Sequence, residues 1–124
     1  MEVSAQTSDI EQISNWRDEV IATRESIRSM RSQLEQLARH KTDDESLAQI
    51  EHFQNQFICQ EEKADELRHD LKQSSKKISN NGQPAILHDD RPVDDYDVMY
   101  DRMNTFRKLY NELQDEFEKF RSFS

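Results

Sequence analysis

The chain has 124 residues, of which 26 are acidic and 17 basic, and its formal net charge at pH 7 is -9. It contains one cysteine, one glycine and two prolines. Because Cys59 has no second thiol in the chain, an internal disulfide and a multi-cysteine zinc site are excluded. The single glycine, Gly82, excludes the glycine-rich phosphate loops of nucleotide-binding enzymes. A chain of this size can build one hydrophobic core, so we expect a single domain over 1–124.

The first residues of the chain have neither the basic segment nor the apolar segment of a secretory signal peptide. The longest apolar run is three residues, 85–87, which is far too short to cross a membrane. With no disulfide framework either, these features favour a cytoplasmic protein that has no membrane contact.

A first helix is predicted over 9–40. Ser8 and Glu11 have the spacing of a capping box, in which the two side chains satisfy free backbone N–H groups at a helix start. Apolar residues then recur in steps of three and four, with Thr23 as the one polar member. This heptad stripe consists of Ile13, Trp16, Val20, Ile27, Met30, Leu34 and Leu37.

A second helix is predicted over 43–79, with a stripe that includes two polar positions, Gln60 and Ser74. Its apolar members are Ile50, Phe53, Phe57, Ala64, Leu67, Leu71 and Ile78. The sixteen residues from Leu34 to Ile50 break the heptad phase by about 160° on a straight helix, which favours a chain reversal between the two stripes. Thr42 and Glu45 form a second capping box at this point. A continuous helical rod is the alternative.

Residues 80–94 contain the only glycine and both prolines, which predicts a long loop. A third helix is predicted over 95–122, with Asp94 or Asp95 as its N-cap. Its stripe has no polar interruption and consists of Tyr96, Met99, Met103, Phe106, Tyr110, Leu113, Phe117 and Phe120. Tyr100, Leu109 and Phe123 widen the apolar face, so this helix should contact two neighbours.

Together the three stripes predict an all-α protein: an elongated, coiled-coil-like antiparallel three-helix bundle with up-down-up topology. In length, in triple-helical pattern and in the position of Trp16 within its first helix, the chain resembles the spectrin-repeat bundles. The third helix lacks a matching tryptophan-centred motif, and no function is carried over from that family.

Few residues offer catalytic or metal chemistry. Glu66 and His69 match the Glu-x-x-His spacing of ferritin-like di-iron bundles, but their heptad positions place them on the outer face of the second helix. No histidine lies one helical turn from another, and the acidic residues lie outside the three stripes. Glu61 lies beside the second stripe, and we expect it to form a salt bridge at the rim of the core. We therefore expect no enzyme activity, no cofactor and no resident metal. A ferritin-like metal carrier completed by dimerisation is an alternative.

The charges are distributed unevenly along the chain. Acidic residues are concentrated on the second helix and in the loop, which disfavours nucleic-acid binding and leaves mimicry of a nucleic acid as another alternative. On the first helix Arg17, Arg24 and Arg31 recur every seven residues, with Arg28 beside them. Salt bridges to a neighbouring helix are the favoured interpretation of this row. An anion or phosphate site is the other.

Apolar residues outside the stripes are the remaining indication of function. The candidate interface residues are Ile21, Ile58, Tyr100, Leu109 and Phe123. If such residues lie together on the surface, they mark a contact with a protein partner or with a second copy of the chain. The sequence thus predicts a non-enzymatic helical interaction or assembly module, with a homodimer slightly favoured.

Overall fold

The computed structural model describes the backbone of residues 2–79 and 96–123 and the side chains of residues 9–77 and 96–123. It contains three α-helices and, within these ranges, no strand: α1 (Glu2–Ala38), α2 (Asp44–Ser79) and α3 (Tyr96–Ser122). At 1.5 Å per residue they are about 40–55 Å long. The predicted all-α three-helix bundle is confirmed. The loop predicted over 80–94, with its cap residues, lies outside the described residues.

The start of α1 differs from the prediction. The helix begins at Glu2 rather than after the proposed cap at Ser8. Residues 2–8 contain no glycine or proline, and adding residues to an existing helix is far easier than nucleating one. A capping-box pattern inside such a stretch therefore does not terminate the helix.

Helices α1 and α2 form a hairpin, so the continuous rod is excluded. The last turn of α1 tightens through bonds from His40 N to Leu37 O (3.1 Å) and from Lys41 N to Ala38 O (3.4 Å). The predicted Thr42 capping box is wrong by one residue. Asp43 caps α2 instead, because its Oδ2 accepts a hydrogen bond from the backbone N–H of Ser46 at 2.9 Å.

The hydrogen bonds that Asp43 accepts also affect its titration. The backbone N–H of Ser46 contributes most and the Ser46 side chain adds to it, so the pKa of the Asp43 carboxyl is below its ordinary value. An ionised carboxylate is stabilised at this position, because it also faces the positive end of the α2 dipole.

All 17 buried hydrophobic residues of the described chain lie on the three predicted stripes. They form two clusters. The first surrounds Trp16, Leu67 and Met103, and the second surrounds Leu34, Phe57 and Phe117. The clusters separate where Thr23 interrupts the stripe of α1 and Gln60 interrupts that of α2.

Candidate functional site

Three seams of polar residues flank the core, one between each pair of helices. In a heptad labelled a to g with a and d in the core, the e and g residues border the contact with the next helix. Antiparallel neighbours bring e against e and g against g, whereas parallel neighbours bring e against g. Three of the five described ion pairs between helices follow this rule; Arg24–Asp65 joins e to b, and Glu66–Arg102 joins c to g.

The α1–α2 seam contains two of the predicted salt bridges. Arg24 Nε lies 2.7 Å from Asp65 Oδ1, and Arg31 Nη1 lies 2.5 Å from Glu61 Oε2. The rim role expected for Glu61 is thus confirmed. Arg28 lies 3.7 Å from Glu25, within its own helix. Only part of the arginine row is therefore used to join α1 to α2.

The α1–α3 seam is closed by a bidentate pair. Arg107 donates from Nε to Glu19 Oε2 at 2.6 Å and from Nη2 to Glu19 Oε1 at 2.7 Å. These hydrogen bonds raise the pKa of the Arg107 guanidinium above its ordinary value. Further along, Arg121 donates to Gln33. Because α1 and α3 run parallel, both contacts join a g residue of α1 to an e residue of α3.

Within residues 9–77 and 96–123, the α2–α3 seam has ion pairs at one end only. Arg102 lies 2.8 Å from Asp70 and 3.9 Å from Glu66. One heptad away from the Asp70–Arg102 contact, the residues at the equivalent g positions are Lys63 and Leu109, which offer no opposite charges. The seam opens there into a groove.

This α2–α3 groove has a volume of about 620 Å³, and its lining is more apolar than polar. Leu67 and Phe106, both buried, form part of its lining, and Val98 and Leu109 lie exposed along its α3 side. The charged residues around it are two bases, Lys63 and Arg102, and two acids, Glu66 and Asp101.

Gln60 adds an unpaired polar atom to the same groove. This residue occupies a core position of α2 and is almost fully buried. Its Oε1 is buried and accepts no hydrogen bond from any described residue. A buried acceptor of this kind destabilises a fold unless something donates to it, so the groove lining favours an occupant that brings a donor.

The five candidate interface residues are all exposed, but they lie in different places. Leu109 lines the α2–α3 groove, Ile58 lines a small cleft beside Arg31, and Phe123 lines a cleft at the α1–α2 turn. Tyr100 packs towards Trp16, with 6.2 Å between ring centroids. Ile21 lies on the outer face of α1. Whether any of them contacts a partner stays a prediction, and Leu109 is the one placed in an open apolar groove.

The residues considered for metal or redox chemistry are exposed. Glu66 and His69 lie on the surface of α2, where their heptad positions predicted them, and Cys59 is an exposed free thiol. Over residues 9–77 and 96–123 no three His, Cys, Asp or Glu side chains are close enough together to hold a metal ion.

Several lining residues were not singled out from the sequence. Lys63 and Thr105 on the groove, and Arg68 and Lys72 on a cleft between α1 and α2, carry no motif. Lys63 and Lys72 occupy g and b positions, and a charged residue that lacks an opposite charge on the facing helix marks an incomplete seam. That signal becomes specific only when the register between the helices is known.

None of the three helices, within the described residues, has a stretch long and apolar enough to span a membrane. Comparison of the chain with models of protein families, with curated proteins and with solved structures finds no match.

Proposed function

We propose that the protein is a non-enzymatic helical interaction module that assembles through the α2–α3 groove, and that the occupant of the groove is a second copy of the same chain. The observation that carries this proposal is a stripe along the exposed edge of α3, beside the core stripe. It consists of Val98, Arg102, Thr105 and Leu109, all of which line the groove.

The pattern of this stripe is the same in both directions. Its spacings are four, three and four residues, and its order is apolar, polar, polar, apolar. A twofold contact between two α3 helices in antiparallel orientation would place Val98 against Leu109 of the second copy, and the reverse, about an axis midway between Arg102 and Thr105. Self-complementarity of this kind is what an isologous dimer requires.

The charges around the groove support the same occupant. Two bases and two acids surround it, so its formal charge is zero although the whole chain carries -9. Two copies of a strongly acidic protein repel each other over most of their surfaces. A neutral, partly apolar patch is where this repulsion is smallest, because charges further away than about 8–10 Å are screened at physiological salt.

The first test is the mass in solution, measured by sedimentation velocity over a wide concentration range. We expect a wild-type dimer, and we expect Leu109→Lys to be a folded monomer, because the change puts one uncompensated charge on each side of the contact. Leu47→Lys is the matched control: Leu47 is 42% exposed and Leu109 is 43% exposed, and Leu47 does not line the groove. The control should remain dimeric.

A second test addresses the orientation of the two α3 helices. Val98→Lys alone and Leu109→Glu alone should each abolish the dimer. The double variant should restore it, because each introduced lysine then faces an introduced glutamate of the second copy. A wild-type monomer at millimolar concentration would refute self-association, and a double variant that stays monomeric would refute the antiparallel contact.

The alternatives of a ferritin-like metal carrier and a nucleic-acid mimic have no supporting contact among the described residues. Both make distinct predictions. Stoichiometric iron, manganese or zinc lost on His69→Ala would support the first, and competition with DNA for a basic DNA-binding protein would support the second. Either result would count against the assembly function proposed here.

A further inference from the structure

A second cleft lies on the α1–α2 seam, and its charge is opposite to that of the chain as a whole. It has a volume of about 400 Å³. One acid is present among several bases in its lining, which consists of Arg17, Arg24, Asp65, Arg68, His69 and Lys72. A local excess of positive charge in a protein with a net charge of -9 requires a physical explanation.

The register of the two helices shows where the excess arises. Arg24 pairs with Asp65 at 2.7 Å. One heptad earlier on α1 is Arg17, and because the helices are antiparallel, the equivalent position on α2 is one heptad later, at Lys72. One heptad from the Arg24–Asp65 pair, two cations therefore lie at the same level of the seam instead of a cation and an anion. Arg68 lies one turn of α2 from Lys72.

These three cations have no anionic partner among the described residues. Arg17, Arg68 and Lys72 form no ion pair within 4.0 Å there, whereas Arg24 and Arg31 on the same seam do. In addition, Arg17 Nε is buried and donates no hydrogen bond to any described group. A desolvated guanidinium donor beside two further cations is unfavourable unless an anion binds between them.

We propose that this cleft is a binding site for the phosphate group of a small molecule, with Arg17, Arg68 and Lys72 as the binding residues. Arginine presents its donors as a planar fork that matches phosphate oxygens, and lysine adds a compact charge. The Arg24–Asp65 pair closes one end of the cleft. Its volume lies within the usual range of small-molecule sites, about 300–1,000 Å³, so it has room for more than the phosphate group.

Binding is tested with inorganic phosphate and with pyrophosphate, each titrated into the protein in a calorimeter, with sodium chloride at equal ionic strength as the reference. We expect both anions to bind and chloride to give no comparable signal. Pyrophosphate should bind more tightly, since it presents two phosphoryl groups to three cations. Arg17→Gln and Lys72→Gln should each raise the Kd about tenfold or more, since each loses a charge-assisted hydrogen bond.

Lys108→Gln is the matched control, because it removes one positive charge from an exposed position of α3 outside the cleft. It should leave the Kd within a factor of about two, since distant exposed charges are screened. Anion binding that is absent from the wild type, or that is weakened equally by Lys108→Gln and Arg17→Gln, would overturn the proposal. Neither result bears on the dimer, which is tested at α3.

A charge reversal separates a binding site from an ordinary solvated surface. Lys72→Glu gives Arg17 the partner that Arg24 has in Asp65, so we expect a higher Tm without added anion and no response of the Tm to pyrophosphate. In the wild type the Tm should rise with pyrophosphate, because an anion that binds only the folded state stabilises it. A Tm of Lys72→Glu that is unchanged, or that still rises with pyrophosphate, would overturn the proposal.

Discussion

Phe117 is the residue whose removal should cost the bundle most. Its side chain is fully buried. It lies edge-on to two rings of α2, with ring centroids 5.6 Å from Phe53 and 5.2 Å from Phe57. The guanidinium carbon of Arg121 lies over the Phe117 ring, 5.9 Å from its centroid. One side chain thus joins α3 to the aromatic part of α2.

The magnitude follows from these contacts. Truncation of a buried phenylalanine to alanine costs about 3–5 kcal/mol, and each edge-on aromatic pair is worth about 0.5–1.5 kcal/mol beyond the buried area. We therefore expect Phe117→Ala to lower the free energy of unfolding by about 4–5 kcal/mol. Since domains of this size are stable by about 5–15 kcal/mol, this is about a quarter or more of the total stability, and at the low end of that range the variant would be partly or fully unfolded.

Urea denaturation followed by circular dichroism at 222 nm measures this loss. With a slope of about 2 kcal/mol/M, the midpoint should fall by about 2 M. If Phe117→Ala does not fold at all, Phe117→Leu gives the measurable value, because it keeps most of the volume and should cost about 1–1.5 kcal/mol. Phe123→Ala is the control, since Phe123 is 89% exposed and its loss should change stability by no more than about 0.5 kcal/mol. Equal losses for Phe117→Ala and Phe123→Ala would refute the packing argument.

Two further predictions concern the seam and the cap. The side chains of Glu19 and Arg107 are 37% and 39% exposed, and a double-mutant cycle on them should give a coupling energy of about 0.5–1 kcal/mol. The more exposed Glu25–Arg28 pair within α1 is the control and should give about 0.3 kcal/mol. Equal coupling energies would contradict the role of the bidentate geometry. The lowered pKa of Asp43 means that its contribution to stability is present above the unfolded-state pKa of about 3.9 and is lost as the pH falls through the folded-state pKa. Asparagine is also a good N-cap but does not titrate. The urea midpoint of Asp43→Asn should therefore fall less than the wild-type midpoint when the pH is lowered from about 5 to about 3. Parallel pH profiles of the two midpoints would contradict this expectation.

The core could be predicted from the sequence because the heptad pattern specifies which residues face inward. Spacing alone places Phe117 and Ile13 in the core, and both are fully buried. The end of a helix is specified less well. Thr42 and Asp43 are both good N-caps and adjacent, so composition alone could not decide which of them accepts the bond from Ser46.

The sites were harder to predict than the core, for a physical reason. A heptad shows that Arg17 lies at an e position, at the border of a seam, but not that Lys72, at a b position of α2, lies at the same level. That depends on where the chain reverses, and a shift of one heptad would have put Arg17 opposite Asp65. The Arg24–Asp65 contact determines the register, and only then is the excess positive charge of the α1–α2 cleft apparent.

The three seams differ in how completely their charged residues are paired. Glu19–Arg107 closes the α1–α3 seam, and Arg31–Glu61 closes one level of the α1–α2 seam. The α2–α3 seam has Asp70–Arg102 at one end, but at its centre Lys63 faces Leu109, and a lysine cannot pair with a leucine. The core below is complete there, because Phe106 and Leu67 are buried. Substitutions at Leu109 should therefore change assembly more than stability, whereas substitutions at Phe106 should change both.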